Sequence, residues 1–312
     1  MSGPPLVVGV DGGGTKSLGL ISDQDGNVLA RHEVGASNPN AVGFETAADN
    51  LSRVISECCD DARCDVSELG AIVLGLAGAG GEKDQHRMKE ALDARLTRNS
   101  DSPLPIFIET DARVALEGAF NGGLGVVIIA GTGSVIIGKN TRGEILRVGG
   151  WGRVLGDEGS GFHIGREALG AVTLDIDNRG YSGSLRKMFA QKFQWNSRDE
   201  IIEAVYRNNF DIPSLAPLVM EAAVDNDVVA QKILDNAATL LVEQASVLVM
   251  QMGVDRKIGL VLYGGLVQHG TVYAHAVQTK IEKLFPQVEI RLPMYPPAHG
   301  AVLMAIQKLR RK

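Results

Sequence analysis

The chain has 312 residues, an apolar fraction of 45%, a charged fraction of 22% and a formal net charge of −6. The length favours two domains, and the composition is ordinary for a globular protein. A negative net charge without a basic patch disfavours nucleic acid and anionic membranes as partners. No signal-peptide pattern opens the chain, and no apolar run is expected to approach the roughly 20 residues of a membrane span. A cytoplasmic location is therefore the default expectation.

The first third of the chain begins with a predicted strand, Leu6–Val10, followed by the glycine turn Asp11–Thr15 and a second strand, Lys16–Ile21. A turn at Asp25-Gly26 leads to a third strand, Val28–Val34. Lys16–Ile21 is predicted as a strand, whereas a dinucleotide fingerprint needs its glycines to open a helix. This pattern excludes a Rossmann-type dehydrogenase.

The next segment, Gly35–Asn40, is rich in turn residues and is not expected to be helical. It is either a plain surface loop or a loop in which Asn38 binds a ligand hydroxyl. Helices are predicted over Phe44–Cys59 and Lys83–Leu96, on either side of a strand, Ala71–Leu76.

The three cysteines of the chain, Cys58, Cys59 and Cys64, lie at the end of the first of these helices. An odd, clustered set is not the disulfide framework of a secreted protein. A metal site would need a fourth ligand, and no His or Cys lies nearby at ligand spacing. We expect incidental cysteines, and the scattered histidines likewise show no metal or triad spacing.

A short strand, Ile106–Ile108, leads into Asp111, where a helix is predicted to begin. Ligands bind at such strand ends in open α/β sheets. The Asp111 carboxylate is therefore a candidate general base for an alcohol, with a helix N-cap as the alternative role. Asn121–Gly123 then interrupts the pattern and predicts a domain boundary near residues 118–124.

The order of strands and turns at the start of the chain is then repeated. A strand, Val126–Ala130, enters the glycine turn Gly131–Ser134, a second strand, Val135–Gly138, follows, and a third ends near Val148. Two glycines that flank Thr132 let backbone N–H groups converge on an anion, and the hydroxyl adds a donor. Two copies in the same order predict a duplicated unit whose hairpins face each other across a cleft.

The segment Gly149–Gly161 follows this second hairpin and combines a tryptophan, carboxylates and glycines that leave the backbone accessible. This combination suits a polyhydroxylated ligand beside a phosphate site. The chain downstream is mostly helical, with helices predicted over Phe162–Leu174, Ser182–Phe193, Arg198–Arg207, Ser214–Ala223 and Val228–Met252. A strand, Ile258–Leu262, ends at the pair Gly264-Gly265, which either admits a ring or phosphate or merely turns the chain. Val288–Leu292 is a last strand, and Gly300–Leu309 a last helix.

Five motifs carry a resemblance that covers essentially the whole chain. They are DGGGTK at Asp11–Lys16, ETDA at Glu109–Ala112, AGTGS at Ala130–Ser134, GGWGRVLGDEGSG at Gly149–Gly161 and YGGL at Tyr263–Leu266. Together they resemble the BadF/BadG/BcrA/BcrD ATPase family in its N-acetylglucosamine kinase branch, within the actin, Hsp70 and sugar-kinase superfamily. DGGGT alone is a weak signal, whereas AGTGS followed by GWG and GDEGS is specific.

The resemblance implies an α/β protein with two ribonuclease-H-like lobes, a central cleft for ATP and sugar, and a large helical insertion in the second lobe. The expected lobes span residues 1–118 and 119–297, and the C-terminal helix, 298–312, joins the first. A homodimer is a family expectation. The implied reaction is ATP-dependent phosphorylation of the 6-hydroxyl of N-acetylglucosamine or glucosamine.

The resemblance also implies roles for individual residues. Asp111 would take the proton from the 6-hydroxyl, and Asp11 would hold Mg²⁺ through water. The implied nucleotide-binding residues are Asp11, Gly12, Gly13, Gly14, Thr15, Lys16, Thr132, Gly133, Ala222, Gly264 and Gly265. The implied sugar-binding residues are Asn38, Asp111, Ser134, Val135, Gly150, Trp151, Gly152, Asp157 and Glu158. Val135 stands where some animal relatives have asparagine, which leaves the sugar open between N-acetylglucosamine, glucosamine, N-acetylmannosamine and glucose.

Two other functions remain possible on the same fold. The dehydratase-activating ATPases of the family hold an iron–sulfur cluster with cysteines of the second lobe, and all three cysteines here precede residue 65. A non-catalytic sugar or nucleotide sensor is the other alternative, which the presence of Asp111 disfavours.

Overall fold

The structure is a computed structural model that describes residues 5–78, 80–97, 103–252 and 257–310. The chain divides into two units, and each is described by itself below. Unit 1 comprises Met1–Gly123 and Leu292–Lys312, and unit 2 comprises Leu124–Arg291. The sequence also predicts a glycine turn at residues 77–81, a loop at residues 99–105 and the end of a helix at Gly253, and these three expectations fall partly outside the described residues.

The sheet of unit 1 has five strands in the order β3-β2-β1-β4-β5. The strands are β1 (Leu6–Gly12), β2 (Lys16–Ser22), β3 (Val28–Gly35), β4 (Leu69–Leu76) and β5 (Ile106–Thr110). β1, β2 and β3 form an antiparallel meander, and β4 and β5 run parallel to β1. The carboxyl ends of β1, β4 and β5 therefore lie at one edge of the sheet, where Asp11 is the second-last residue of β1 and Asp111 follows β5.

Helices cover both faces of this sheet, because alternate residues of its central strands are apolar on both sides. The helices up to this point are α1 (Pro39–Val42), α2 (Phe44–Ala62), α3 (Glu82–Leu96) and α4 (Asp111–Ala119). Val8 and Val10 of β1 are fully buried in a core that includes the apolar stripe of α2. Val7, which precedes Val8, faces the opposite core together with Val114 of α4.

The sheet of unit 2 repeats this topology, with the order β10-β9-β6-β7-β8. The strands are β6 (Gly125–Ala130), β7 (Ser134–Lys139), β8 (Ile145–Gly149), β9 (Ile258–Tyr263) and β10 (Val288–Ile290). The first three are again antiparallel, and the other two again run parallel to the first. Two ribonuclease-H-like sheets of identical strand order confirm the duplicated α/β fold that the glycine turns predicted.

Helices fill the interval between the third and fourth strands of unit 2. They are α5 (Gly161–Ile176), α6 (Leu185–Phe193), α7 (Arg198–Ile202), α8 (Ala216–Val224) and α9 (Val228–Met252), and α10 (Val272–Leu284) follows β9. The insertion has its own aromatic cluster, in which Phe193, Trp195 and Phe210 pack with ring centroids 4.6–5.1 Å apart. The helix predicted over 198–207 changes at Glu203 to one turn of π-helix, which ends at Arg207.

The last helix, α11 (Pro297–Arg310), belongs to unit 1. It approaches α4 and β1 so closely that two glycines are required. A Cβ at Gly300 would lie 2.0 Å from the Val114 carbonyl oxygen, and a Cβ at Gly9 would lie 2.3 Å from the Val302 nitrogen. Since these neighbours are backbone atoms, neither position tolerates a side chain without movement of the chain.

One expectation from the sequence was wrong in part. Gly35–Asn40 does not stay non-helical to its end, because Asn38 caps α1 and Pro39 occupies its first turn, a position that suits proline. The described residues also contain one helix, α9, that is long and apolar enough to cross a membrane by length and composition. Half of the most apolar part of α9 is buried in unit 2, which is what a core helix requires.

Candidate functional site

The glycine hairpin of unit 1 is fixed by the loop that precedes α1. The Gly13 N–H donates to the Lys16 carbonyl at 3.0 Å, and the Gly13 carbonyl accepts from the Ser37 and Asn38 N–H groups at 3.0 and 3.1 Å. A Cβ at Gly12 would lie 2.4 Å from Ser37 Oγ. The turn residues Gly14 and Thr15 are exposed, so their backbone and hydroxyl groups are accessible to a ligand.

Asp11 and Asp111 interact electrostatically at the carboxyl edge of the unit 1 sheet. Burial, and to a lesser degree the negative charge of Asp111, raise the pKa of Asp11 to about 6, while Lys16 acts in the opposite direction. Both carboxylates are partly exposed. A pair of neighbouring carboxylates at the end of parallel strands is the feature of unit 1 that is best suited to proton transfer or cation binding.

The structure assigns the N-cap of α4 to Thr110 and not to Asp111. Thr110 Oγ1 accepts from the Arg113 N–H at 3.2 Å, and Asp111 is the first residue inside the helix. Asp111 Oδ1 accepts from the Ala112 N–H at 2.8 Å. The N-cap alternative for Asp111 was therefore wrong, and the helix end does not depend on this carboxylate as its cap.

The other two predicted side chains of unit 1 are held by the protein. Lys16 Nζ forms an ion pair with Glu33 Oε2 at 2.8 Å across β2 and β3. Asn38 Oδ1 accepts from the Asn40 N–H at 2.9 Å. Gly78 lies against Asn38 with φ +78°, and a Cβ there would come within 2.3 Å of Asn38 Oδ1. Close packing of Gly78 thus helps to fix the orientation of Asn38.

The donor set of unit 1 fits Mg²⁺ better than a metal that needs an all-protein cage. Among the described residues, no three His, Cys, Asp or Glu side chains are grouped so that they could hold a metal ion. Mg²⁺ is usually bound by one or two carboxylates together with substrate phosphates and water. The partly buried Asp11, with Asp111 close enough to raise its pKa, supplies that kind of site.

The glycine hairpin of unit 2 lies at the N-terminus of α5. The Gly161 N–H donates to the Gly131 carbonyl at 2.8 Å, and the Phe162 N–H donates to the Thr132 carbonyl at 3.2 Å. The positive end of the helix dipole therefore lies next to the exposed Thr132. A hydroxyl and a helix N-terminus without a neighbouring strand carboxylate favour anion binding.

Two cavities in unit 2 share Thr132 in their walls. One, of about 400 Å³, is lined by Gly131, by Gly265 and Leu266 after β9, and by Pro217 and Met220 of α8. The other, of about 280 Å³, is lined by Arg153, Asp157 and Phe162. Both also include Asp211 and Pro213, two wall residues that the sequence interpretation missed because their segment has no motif.

Gly264 and Ala222, two predicted nucleotide-binding residues, lie in different environments. Gly264 has φ +102°, and a Cβ on it would lie 2.3 Å from the Ala130 carbonyl oxygen, so a side chain is excluded where β9 and β6 end side by side. Ala222 is 1% exposed and belongs to the hydrophobic core. The cavity contacts of α8 are made by Pro217 and Met220 instead.

We call Gly149–Ser160 the tryptophan loop. Asp157 fixes it to the hairpin, because its carboxylate accepts hydrogen bonds from the Ser134 and Gly152 N–H groups, although burial has the larger effect and raises the pKa of Asp157. A Cβ at Gly133 would lie 2.8 Å from Asp157 Oδ2. Ser134 Oγ donates to the Glu158 carbonyl at 2.7 Å. The side chains of Asp157 and Ser134 thus serve the loop itself.

Trp151 is the most accessible predicted sugar contact of this loop, with 74% of its surface exposed. Gly150 and Gly152 on either side have φ +69° and +84°. The Gly150 carbonyl accepts from Arg147 Nη2 at 2.8 Å, and a Cβ at Gly150 would lie 3.0 Å from Val135 Cγ2. Unit 2 therefore brings together Thr132, Gly133, Ser134, Val135, Gly150, Trp151, Gly152, Asp157 and Glu158.

Comparison with known proteins gives a family. The model of the BadF/BadG/BcrA/BcrD ATPase family matches residues 8–305. N-acetyl-D-glucosamine kinase of Dictyostelium discoideum is 32% identical over 96% of this chain and 98% of its own. N-acetylmuramic acid/N-acetylglucosamine kinase of Clostridium acetobutylicum is 31% identical over 96% of this chain and 97% of its own.

A solved structure supports the fold independently of close sequence identity. The crystal structure of a Chromobacterium violaceum protein that carries a provisional assignment as an N-acetylglucosamine kinase aligns with a TM-score of 0.75. The alignment covers 96% of this chain and 99% of that protein at 23% identity. With its motifs, its duplicated sheets and a family model that covers almost its whole length, this chain belongs to the BadF/BadG/BcrA/BcrD ATPase family.

Proposed function

We propose that this protein is an ATP-dependent amino-sugar kinase that phosphorylates the 6-hydroxyl of N-acetylglucosamine or a close analogue, with Asp111 as the general base. The observation that supports this most strongly is the pair of coupled carboxylates at the end of β1 and the start of α4. The names of the two full-length relatives, both N-acetylglucosamine kinases, support the substrate class.

The nucleotide is assigned to the larger of the two cavities that share Thr132. Gly131, Thr132 and Gly265 line this cavity, and the Gly131 and Thr132 carbonyls accept hydrogen bonds from the first N–H groups of α5. A helix N-terminus and a hydroxyl stabilise phosphate oxygens, and the apolar Pro217, Met220 and Leu266 suit a nucleoside. In unit 1, the exposed turn residues Gly14 and Thr15 are assigned a separate role as backbone and hydroxyl donors to phosphate oxygens.

Proton removal is assigned to Asp111. As the sugar O6 forms its bond to the γ-phosphorus, the O6 proton passes to the Asp111 carboxylate, and the bond from phosphorus to the β,γ-bridging oxygen breaks to release ADP. Asp11 is the residue that would hold Mg²⁺, which when bound neutralises charge on the phosphate oxygens. Transfer of this kind asks mainly for positioning and charge stabilisation from the protein.

Sugar recognition is assigned to Asn38, Trp151 and Glu158. The exposed indole offers an apolar face for a pyranose ring, and the amide and carboxylate offer hydrogen bonds to its hydroxyls. Asp157 and Ser134 are expected to act indirectly, since their polar groups hold the tryptophan loop. Because Val135 stands where some animal relatives have asparagine, the preference among amino sugars has to be measured.

An ADP-release assay with a sugar panel tests the proposal. The panel contains N-acetylglucosamine, glucosamine, N-acetylmannosamine, N-acetylmuramic acid and glucose, each with ATP and Mg²⁺, and NMR of the product locates the phosphate. We expect the fastest release with N-acetylglucosamine and a 6-phosphate product. ADP release that does not depend on sugar would favour an ATPase, and binding of ATP and sugar without any turnover would favour a sensor.

A further inference from the structure

Gln244 lies in the middle of α9, more than 80 residues along the chain from the tryptophan loop, yet it contacts both ends of that loop. Its Nε2 donates to Glu158 Oε2 at 2.8 Å near the end of the loop. At the start of the loop, a Cβ on Gly149 would lie 2.3 Å from Gln244 Oε1. One side chain from a core helix therefore contacts both Gly149 and Glu158.

The orientation of the Gln244 amide is set by the Glu158 carboxylate. An exchange of the amide oxygen and nitrogen would place two oxygens against each other, so the donor must face Glu158. The consequence is that Gln244 Oε1, a buried acceptor, has no hydrogen-bond partner among the described residues. Buried unpaired acceptors are unfavourable, and such an atom in a native fold calls for a reason.

We propose that Gln244 is a positioning residue of the sugar site, which holds the Glu158 carboxylate in the rotamer that meets the sugar. This inference rests on the proposed function. The hydrogen bond from Gln244 occupies Oε2 of Glu158, and Oε1 is then directed to accept from a sugar hydroxyl. A hydrogen bond to a charged group is among the stronger kinds, and a fixed rotamer avoids the entropic cost of ordering Glu158 on binding.

The first test is Gln244→Met, which keeps the volume of the side chain and removes its donor. We expect the KM for the sugar to rise by about 10- to 100-fold, as for the loss of one hydrogen bond to a charged group. The KM for ATP and the kcat at saturating sugar should stay within about twofold of the wild type. Gln251→Met, at an exposed position of the same helix, is the matched control and should change neither KM.

The second test separates positioning from simple attachment of the loop. The double variant Glu158→Gln with Gln244→Glu reverses the polarity of the hydrogen bond, because the new amide can donate to the new carboxylate. If Glu158 presents its carboxylate to the sugar, the double variant regains the melting temperature of the wild type but keeps a raised KM for the sugar. Recovery of the sugar KM in the double variant would mean that Gln244 merely holds the loop.

The wild-type control keeps the two proposals distinguishable. Sugar-dependent ADP release by the wild type, together with an unchanged sugar KM in Gln244→Met, would overturn the role of Gln244 and leave the kinase function standing. Absence of sugar-dependent release in the wild type would overturn the proposed function, and the role of Gln244 with it.

Discussion

The substitution Asp111→Asn tests the assignment of the general base with little disturbance of the fold. The asparagine keeps an Oδ1 that can accept from the Ala112 N–H, as Asp111 does at 2.8 Å. The cap of α4 is unaffected, because Thr110 provides it. Removal of the Asp111 charge should lower the pKa of Asp11, since that charge is one of the two causes that raise it. Asp11 therefore stays available as a cation ligand.

We expect Asp111→Asn to slow only the chemical step of the reaction. Positioned general bases contribute about 100- to 10,000-fold to the rate, which corresponds to about 2.7–5.4 kcal/mol of transition-state stabilisation. We expect kcat for the preferred sugar to fall by this factor, while the KM for ATP and the melting temperature remain close to wild type. Steady-state ADP release gives kcat and the KM for ATP, a single-turnover measurement of sugar phosphate isolates the chemical step, and thermal unfolding gives the melting temperature.

The matched control is Asp84→Asn, which removes an exposed carboxylate from the first turn of another unit 1 helix, α3. It should leave kcat unchanged. A kcat for Asp111→Asn within about threefold of the wild type, with the fold intact, would refute the general-base assignment, because so small a change lies below the range of base catalysis.

Three further predictions concern stability. Asp157→Ala removes the acceptor of two backbone N–H groups from a residue that is 9% exposed, so we expect a loss of about 2–3 kcal/mol and a melting temperature lower by about 5–10 °C. The exposed control Asp177→Ala should leave the melting temperature nearly unchanged. An equal loss of stability in both variants would count against the hydrogen bonds by which Asp157 holds the tryptophan loop. Gly264→Ala should lower the melting temperature far more than Gly265→Ala. Gly264 has φ +102° and its Cβ would meet the Ala130 carbonyl, whereas a Cβ at Gly265 would meet nothing within 4 Å. Equal melting temperatures of the two variants would contradict the close approach of Gly264 to Ala130. Burial lowers the pKa of His163 from 6.5, so the unfolded chain binds the proton more readily and stability falls as the pH drops below 6.5. His163→Gln should reduce that slope in urea unfolding between pH 7.5 and 5, and an unchanged slope would exclude His163 as a cause.

The duplication was predictable because each copy has its own local signals. A strand, a glycine turn, a strand and a second turn are recognised from alternation and turn residues within about 30 positions. The observed strands β1–β3 and β6–β8 differ from the predicted ones by only one or two residues at either end. Pairing of consecutive strands accounts for β1–β3 and β6–β8, whereas the ribonuclease-H-like fold as a whole was implied only by the resemblance to the family.

Contacts between distant parts of the chain were not predictable. Nothing in the sequence shows that Gln244 reaches Glu158, or that Asp211 and Pro213 line both cavities beside Thr132. The π-helical turn at Glu203–Arg207 also lacks a signal of its own, since its apolar spacing is that of an α-helix. Ala222 illustrates the same limit, because a helix in an insertion can turn either face to the core and the residue is buried there.

The differences between the two copies explain how the chemistry can be divided. In unit 1, Asp11 is the second-last residue of β1 and β5 leads to Asp111 at the start of α4. In unit 2, the matching end of β6 is the apolar Ile129-Ala130, and β10 is followed by Arg291, after which the chain belongs to unit 1. Only the first copy therefore keeps carboxylates at its strand ends.

At the hairpins themselves, this asymmetry favours cation binding in unit 1 and phosphate binding in unit 2. A carboxylate close to phosphate oxygens is repulsive unless a cation lies between them, and the repulsion grows where water is excluded. Neutral donors such as the Thr132 hydroxyl and the positive end of α5 stabilise phosphate without a cation. An Ile129→Asp variant should therefore bind ATP more weakly, and unchanged or tighter binding in calorimetry would contradict this electrostatic account of the two copies.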